Sequence, residues 1–334
     1  MTTRLATRSA QEHRRSTGPF TARPLTHRRT GTYLECPAEF SLESNFDEVV
    51  ALLHKIRQAS GQQRNTRTTI DFTTIEQLSP TAALVLAAEL DRWNHLITRK
   101  LRPVDIHQWN PMVRRQLRDM GFFDLLAVPK RYLVEDDTNP DTRYVAFRTG
   151  NKADGHMIHQ LRTEDLDPVV GTVPKGRRLY AAVTEAMTNV AQHAYQGHVQ
   201  RPNWWLSASH NVSQRRVSVM IYDQGQGIPN TLPARLSERV MSVLRNDHAR
   251  LIQAAHDLAR TSSQKAHRGQ GLARDVRGYL RDLDVPANYR VVSLRGEYSY
   301  TIDGGSSPGR EDLITHEKAL YGTLIAWELS VNDG

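Results

Sequence analysis

The strand that ends in Asp223 is the feature that most constrains what this chain can fold into. Val217, Val219 and Ile221 recur at every second residue, which is the period of a β-strand. The strand runs into the segment Asp223-Gln224-Gly225-Gln226-Gly227. Two glycines after an acidic residue make a turn where backbone can approach a flat ligand closely, while the carboxylate offers a hydrogen-bond acceptor. We therefore predict a ligand-binding turn at this strand end.

A helix is predicted before that strand, over residues 178–196. Its apolar residues define one face: Leu179, Val183, Met187, Val190 and Ala194. Glu185, Asn189 and His193 follow one another at intervals of four residues, so they form a polar stripe beside that face. Such a stripe can belong to a functional site, but a helix face that is exposed to solvent shows the same pattern. These three residues alone do not distinguish the two interpretations.

Two further glycine motifs follow the acidic turn. The segment Arg268-Gly269-Gln270-Gly271-Leu272 opens another predicted helix, whose free backbone N–H groups suit phosphate oxygens. Gly322-Thr323 begins a predicted final strand, Leu324–Leu329. The second half of the chain thus carries, in order, a polar helix stripe, an acidic glycine turn and two more glycine motifs.

This ordered set closely resembles the nucleotide-binding motifs of the GHKL superfamily of ATP-binding domains, named for gyrase, heat-shock chaperones, histidine kinases and MutL. Within that superfamily, the sequence from Glu185 to Tyr195 is most like that of the serine kinases that act as anti-sigma factors. The resemblance covers about residues 140–332, and we expect an ATP-binding domain over residues 140–334. It implies a Bergerat-type α/β sandwich that binds ATP and Mg²⁺.

The resemblance implies which residues would hold the adenine base. Asp223 would accept a hydrogen bond from the adenine amino group, and Thr323 would assist it. Gly225 and Gly227 would let the base approach the backbone.

The resemblance also implies roles around the phosphates. Asn189 would ligate Mg²⁺, which prefers oxygen ligands, and Glu185 would be the general base that orients water or a partner hydroxyl. His193 would either reach the phosphates or line the pocket wall. The second glycine loop would flank the phosphates through Gly269, Gly271 and Leu272, with contacts from Lys265 and Arg268. A mobile ATP lid is expected at about residues 229–267.

The first half of the chain alternates predicted strands and helices, which indicates a small α/β layer. Strands are predicted at Thr32–Cys36, Thr68–Phe72 and Val104–His107, and helices at Phe46–Ile56, from Pro80 and from Asn110-Pro111. Ser79 is the expected N-cap of the second helix, which carries one apolar stripe.

This order is similar to that of STAS domains, the fold of anti-sigma-factor antagonists, over residues 32–128. The segments Thr69–Phe72, Leu78–Thr81 and Asn110-Pro111 carry the resemblance. Thr81 falls nearest the position that is phosphorylated in the family, and a helix N-terminus favours an added phosphate. Residues of this type also begin helices because they cap backbone N–H groups, and a domain that only docks a partner remains an alternative.

The net charge of +8 is concentrated at the start of the chain. Residues 1–32 contain seven arginines and one acidic residue, so the remainder is close to neutral. We expect residues 1–31 to be a disordered basic tail and residues 129–139 to be a linker. Nucleic-acid binding is not expected except through this tail.

The cysteine content and the hydropathy of the chain indicate the compartment in which the protein is expected. Cys36 is the single cysteine, which favours a reducing environment, and no apolar run approaches the ~20 residues of a membrane span. We expect a cytoplasmic protein that does not enter a membrane.

The combined resemblance implies an ATP-binding regulator, either an ATPase or a serine/threonine kinase. Its expected partner is a STAS-domain or sigma-factor-like regulator, and a homodimer is also implied. A nucleotide-binding adaptor without kinase activity is the alternative. Clamp ATPases carry a further domain after the ATP fold, and sensor kinases carry a dimerising helical hairpin before it, so neither is expected here.

Overall fold

The structure is a computed structural model that describes residues 31–62, 67–97, 101–129, 132, 141–152, 154–170, 176–195, 203–232, 244, 246–261, 278–281, 283–305 and 309–331. It is a mixed α/β protein, as predicted. No helix within these ranges is long and apolar enough to cross a membrane. The predicted tail lies outside the described residues except for Gly31, as does the predicted linker except for Pro129 and Tyr132.

The first segment alternates short strands with helices. Its elements are β1 (Gly31–Glu35), β2 (Glu39–Phe40), α1 (Phe46–Gln62), β3 (Arg67–Asp71), β4 (Gln77–Leu78), α2 (Pro80–Leu96), β5 (Arg102–Pro103), α3 (Pro111–Asp119) and α4 (Phe122–Leu125). Strands β1, β3 and β5 form a parallel sheet in that order, and β2 pairs with β4 in parallel. Helices α1 and α2 connect the three parallel strands, because such strands need long crossovers.

Capping side chains determine where α2 and α3 begin. The Ser79 hydroxyl accepts the N–H of Ala82 at 3.3 Å, and Asn110 Oδ1 accepts the N–H of Met112 at 2.9 Å. Proline follows each cap at the first helical position, where its missing N–H has no consequence. Both helix starts are therefore confirmed.

The strand predicted at Val104–His107 is wrong. The extended segment is β5, Arg102–Pro103, and a 3₁₀ turn follows at Ile106–Gln108. Asp105 has a φ of 43°, a left-handed conformation outside the β region, so the strand cannot continue through it.

The second segment contains most of the β-structure. Its elements are β6 (Thr142–Tyr144), β7 (Arg148–Gly150), α5 (Gly155–Gln160), α6 (Asp167–Val170), α7 (Gly176–Asn189), β8 (Trp204–Asn211), β9 (Arg216–Asp223), α8 (Ile228–Thr231), α9 (His248–Thr261), α10 (Gly278–Arg281), β10 (Ala287–Ile302) and β11 (Arg310–Ser330). The chain is π-helical over Leu161–Leu166 and Val190–Ala194.

These strands form one antiparallel sheet in the order β10-β11-β9-β8-β6, and β7 also pairs with β8. Strand β11 is much longer than the predicted Leu324–Leu329, because its polar first half pairs with β10 beyond the end of β9. Strands β8 and β10 are not predicted from the sequence.

Different parts of the chain cover the two faces of this sheet. Leu206, Ile221 and Trp327 share a core with α7 and α9. Trp205 and Tyr222 lie on the opposite face, in one core with α1 and α2. The predicted segments 32–128 and 140–334 therefore share hydrophobic core.

Helix α2 is buried more completely than its sequence stripe indicates. Every residue from Thr81 to Leu90 is buried. The helix contacts α1 and α4 of the first segment and also β8 and β9 of the large sheet. A helix covered on all sides needs apolar residues all round, which explains the run from Ala82 to Ala88.

A buried charge cluster also joins the two segments. Arg290 on β10 donates to both carboxylate oxygens of Glu297, at 2.7 and 2.8 Å. It reaches the first segment through Glu43 at 2.9 Å and the Leu42 carbonyl at 2.7 Å. Burial alone would raise the pKa of Glu297, but hydrogen bonds from His316 and Arg290, and their charges, lower it to about 2.

Candidate functional site

Asp223 is a buried carboxylate at the end of β9. It is paired with Trp204 of β8 on one side and with Thr323 of β11 on the other. Its side chain accepts the backbone N–H of Gly225 at 2.7 Å and also that of Thr323. Burial raises the pKa of Asp223 to about 7, although these two hydrogen bonds act in the opposite direction. The Asp223 carboxylate therefore lies at the strand end, held by backbone N–H groups and shielded from water, and its role as a ligand acceptor stays a prediction.

Ser293 of β10 ties together the two turns beside Asp223. Its hydroxyl donates to the Gly322 carbonyl at 3.0 Å and accepts the Ile228 N–H at 2.9 Å. It also lies 3.0 Å from the Thr323 hydroxyl. Thr323, predicted to assist Asp223, thus lies next to it, and the acidic glycine turn and the Gly322 turn form one unit.

The glycines of these turns are required by contacts within the protein. A Cβ on Gly225 would lie 2.3 Å from the Ala194 carbonyl oxygen. Gly227 has a φ of +82°, and its Cβ would lie 2.9 Å from Ser293 and Leu294 side-chain atoms. The prediction that Gly225 and Gly227 admit a base stays a prediction, because the structure gives each a close approach of its own chain.

Tyr195 joins the acidic turn to the end of the π-helical turn that follows α7. Its hydroxyl accepts the Gln224 N–H at 2.9 Å and donates to the Asn203 carbonyl at 2.7 Å. Burial, and then the charge of Asp223, raise the pKa of Tyr195, so the hydroxyl keeps its proton. The Gln226 N–H also donates to the Ala194 carbonyl at 2.9 Å. The turn is therefore fixed against the helix that carries the polar stripe.

The predicted stripe divides into two parts. Glu185 and Asn189 are half-buried in the last turns of α7. His193 is exposed and lies in the π-helical turn Val190–Ala194 that follows α7, so its surroundings differ from those of Glu185 and Asn189. Its predicted place at the phosphates or the pocket wall stays a prediction.

Asn189 carries a buried polar atom that bears on the predicted Mg²⁺ site. Its buried Nδ2 has no hydrogen-bond partner among the described residues. Buried polar groups are nearly always paired, so an unpaired amide at this position is compatible with a ligand contact. In the same ranges, no group of three or more His, Cys, Asp or Glu side chains could hold a metal ion.

Several predicted phosphate contacts lie outside the described residues: Lys265, Arg268, Gly269, Gly271 and Leu272. The predicted lid, 229–267, is described in part. Within it, Ile252 and His256 of α9 are buried, and a Cβ on Gly296 would lie 2.4 Å from the His248 backbone. Helix α9 is thus built into the core, so the prediction of a mobile lid does not hold for this helix.

Thr81 is buried and bonded to the first segment. Its hydroxyl donates to Glu43 at 2.6 Å and lies 3.0 Å from the Ser79 hydroxyl. This carboxylate would repel an added phosphate, so the surroundings of Thr81 favour the structural role at the helix start over the predicted phosphoacceptor.

Comparisons of the chain with protein-family models, with curated proteins and with solved structures found no match. The chemistry of the site therefore rests on its own side chains. Sequence reasoning missed Ser293 and the bridging role of Tyr195. Neither carries a local signal, because the contacts of Ser293 depend on the register of β10 against β11, and those of Tyr195 depend on a turn about 30 residues away.

The raised pKa of Asp223 predicts a pH dependence of stability. Folded Asp223 holds its proton until about pH 7, whereas the unfolded chain releases it near the usual value of 3.8. Its contribution to stability is therefore highest below that value and is lost as pH rises to about 7, by at most ~4 kcal/mol. In urea denaturation at several pH values, the variant Asp223→Asn should lack this decline. The exposed control Asp303→Asn should retain it, and equal slopes for all three proteins would contradict the assignment.

Proposed function

We propose that this protein binds Mg-ATP at the Asp223 turn and uses it for phosphotransfer to, or switching of, a protein partner. The second segment would be a Bergerat-type ATP-binding fold of the GHKL kind. The first segment would be a STAS-like domain that regulates or docks. The expected partner is a STAS-domain or sigma-factor-like regulator.

The observation that carries the proposal is the buried Asp223 carboxylate between two glycine turns. An adenine amino group needs a fixed acceptor shielded from water, and Asp223 is held by the N–H groups of Gly225 and Thr323. The buried amide of Asn189, on the helix against which this turn packs, adds a polar group that has no hydrogen-bond partner in the described ranges. A site for a flat base next to a polar phosphate region accounts for both.

In this proposal each side chain has a distinct role. Asp223 and the Thr323 hydroxyl would bind the base, and Asn189 would hold Mg²⁺ together with phosphate oxygens. Glu185, one turn before Asn189 on α7, would accept the proton of the attacking water or hydroxyl. Bound Mg-ATP would supply an activated γ-phosphoryl group. His193 and the second glycine loop remain candidates for phosphate contact.

Kinase and adaptor functions differ in where the γ-phosphate goes. The purified chain should be incubated with γ-labelled ATP, alone and with candidate STAS-domain proteins. Label on a protein supports a kinase, and released phosphate alone supports a switch ATPase. Binding without either product supports the adaptor, in which nucleotide only controls a protein interaction.

Replacing Glu185 with alanine should separate binding from turnover. The variant should bind Mg-ATP with an unchanged Kd but lose about 100-fold or more of its phosphate transfer or release, because general-base catalysis contributes that much. Calorimetry gives the Kd and the labelled assay gives the rate. Glu317→Ala, the same change at an exposed position, is the control. Undiminished turnover in Glu185→Ala would remove Glu185 as the base.

A further inference from the structure

Gln224 links the Asp223 turn to the first segment. Asp223 and Gln224 are consecutive residues, and the Gln224 side chain reaches the face of the sheet that α2 covers. Its Nε2 donates to Glu89 Oε1 of α2 at 3.0 Å. Its backbone N–H is bonded to Tyr195 on the other side. Gln224 is therefore held from both faces of the sheet, immediately after the residue proposed to bind the base.

Glu89 is a buried carboxylate with several cationic neighbours. It is 1% exposed and forms ion pairs with Arg57 of α1 and with Arg92, the latter at 3.0 Å. Because a buried carboxylate is stable only when its charge is matched, the two arginines fix Glu89 in place. Gln224 thus bonds to an anchor whose position is set by the first segment.

Arg57 extends the same anchor to the second turn of the site. Its guanidinium lies 3.6 Å from the ring centroid of Tyr321, the residue before Gly322-Thr323. The Tyr321 carbonyl accepts the hydroxyl of Tyr222 at 2.6 Å. The ion pair of Arg57 and Glu89 therefore supports both turns that bracket Asp223, from the face opposite the proposed nucleotide.

We propose that Glu89, acting through Gln224, is a positioning residue that makes the nucleotide site selective for adenine. This inference rests on the proposed ATP site at Asp223. Base recognition depends on where the Asp223 carboxylate lies, and a hydrogen bond that fixes the following residue limits its movement. The first segment then contributes to base selectivity without touching the nucleotide.

The deciding variant is Gln224→Met, which keeps the length of the side chain and removes the donor to Glu89. The Kd for Mg-ATP, Mg-GTP and Mg-ADP should be measured by calorimetry on the full chain. We expect the preference for ATP over GTP to fall by about tenfold, the equivalent of one hydrogen bond. The ratio of the ADP and ATP constants should not change, because the phosphate region is untouched. If the role of Gln224 were merely structural, the variant would bind all three nucleotides more weakly, by the same factor.

Two further variants complete the design. Gln214→Met makes the same change at an exposed turn position and should leave every constant unchanged. Gln224→Glu should lose the preference through repulsion from Glu89, and adding Glu89→Gln should restore it by reversing donor and acceptor. Circular dichroism of each variant ensures that folded proteins are compared. If Glu89→Gln does not fold, Gln224→Met still decides.

The outcomes distinguish this inference from the proposed function. No binding of ATP by the unaltered protein would overturn both. Binding of ATP with no preference over GTP in the unaltered protein would overturn the positioning role, since there would be no selectivity to maintain. An unchanged preference in Gln224→Met would overturn it as well, while the ATP site itself would stand.

Discussion

Replacing Asp223 with alanine is expected to abolish the rise in melting temperature that Mg-ATP produces in the unaltered protein. A ligand at about 100 times its Kd stabilises the folded state by ~2.7 kcal/mol, and this stabilisation vanishes when binding is lost. Asp223 supplies the buried acceptor for the base, and within the described ranges it is fixed by Gly225 and Thr323. Thermal unfolding with and without Mg-ATP measures the effect directly.

Two companion variants make this result interpretable. Asp223→Asn keeps an oxygen that can accept the Gly225 N–H, so it preserves the turn while removing the charge, and it should also lose the ATP shift. Asp303→Ala changes an exposed aspartate just after the end of β10 and should keep the full shift. A shift of normal size in both Asp223 variants would refute the nucleotide site proposed here.

Replacing Arg290 with leucine is expected to be the most destabilising single change considered. It would leave Glu297 buried without its bidentate partner and would remove the bonds to Glu43 and Leu42. Breaking a buried ion pair from one side costs about 3–5 kcal/mol, because the remaining charge stays desolvated. Urea denaturation at neutral pH gives the loss in the free energy of unfolding.

The dependence of the free energy of unfolding on pH in the acid range tests the same cluster independently. Because the pKa of Glu297 is lowered to about 2, its stabilising contribution is complete above its usual value of 4.5 and disappears as pH falls toward 2. The difference in the free energy of unfolding between the unaltered protein and Arg290→Leu should therefore decrease as pH falls from 4.5 toward 2. Arg310→Leu is the matched control, because Arg310 is 76% exposed in its pair with Asp312 and should contribute less than about 1 kcal/mol. Equal losses in the two variants would contradict a special role for the buried cluster.

Arg290 and Glu89 connect the first segment to the large sheet. Both lie where α1, α2 and the loop before α1 meet the large sheet, and both bond to residues of the other segment. A regulatory first segment in the proposed function would therefore be in direct contact with the sheet. The sequence predicts two separate domains, whereas the structure provides one continuous core between them.

Local signals in the sequence determined much of this protein. Ser79 and Asn110 begin helices because their side chains satisfy nearby N–H groups, and the alternation before Asp223 marks β9 because Val217, Val219 and Ile221 share the face that packs into one core with α7. Asp223 and its glycines were recognisable for the same reason, since a strand end and a tight turn are properties of neighbouring residues.

Only the tertiary structure determined the burial and the long-range contacts of those residues. The raised pKa of Asp223 comes from burial beneath distant segments, Ser293 and Thr323 meet through strand register, and Gln224 meets Glu89 across 135 residues of sequence. None of these contacts has a local signature, because each depends on which surfaces come together when apolar area is buried. The sequence determined where the candidate site lies along the chain, and long-range burial determined its electrostatics and its connection to the first segment.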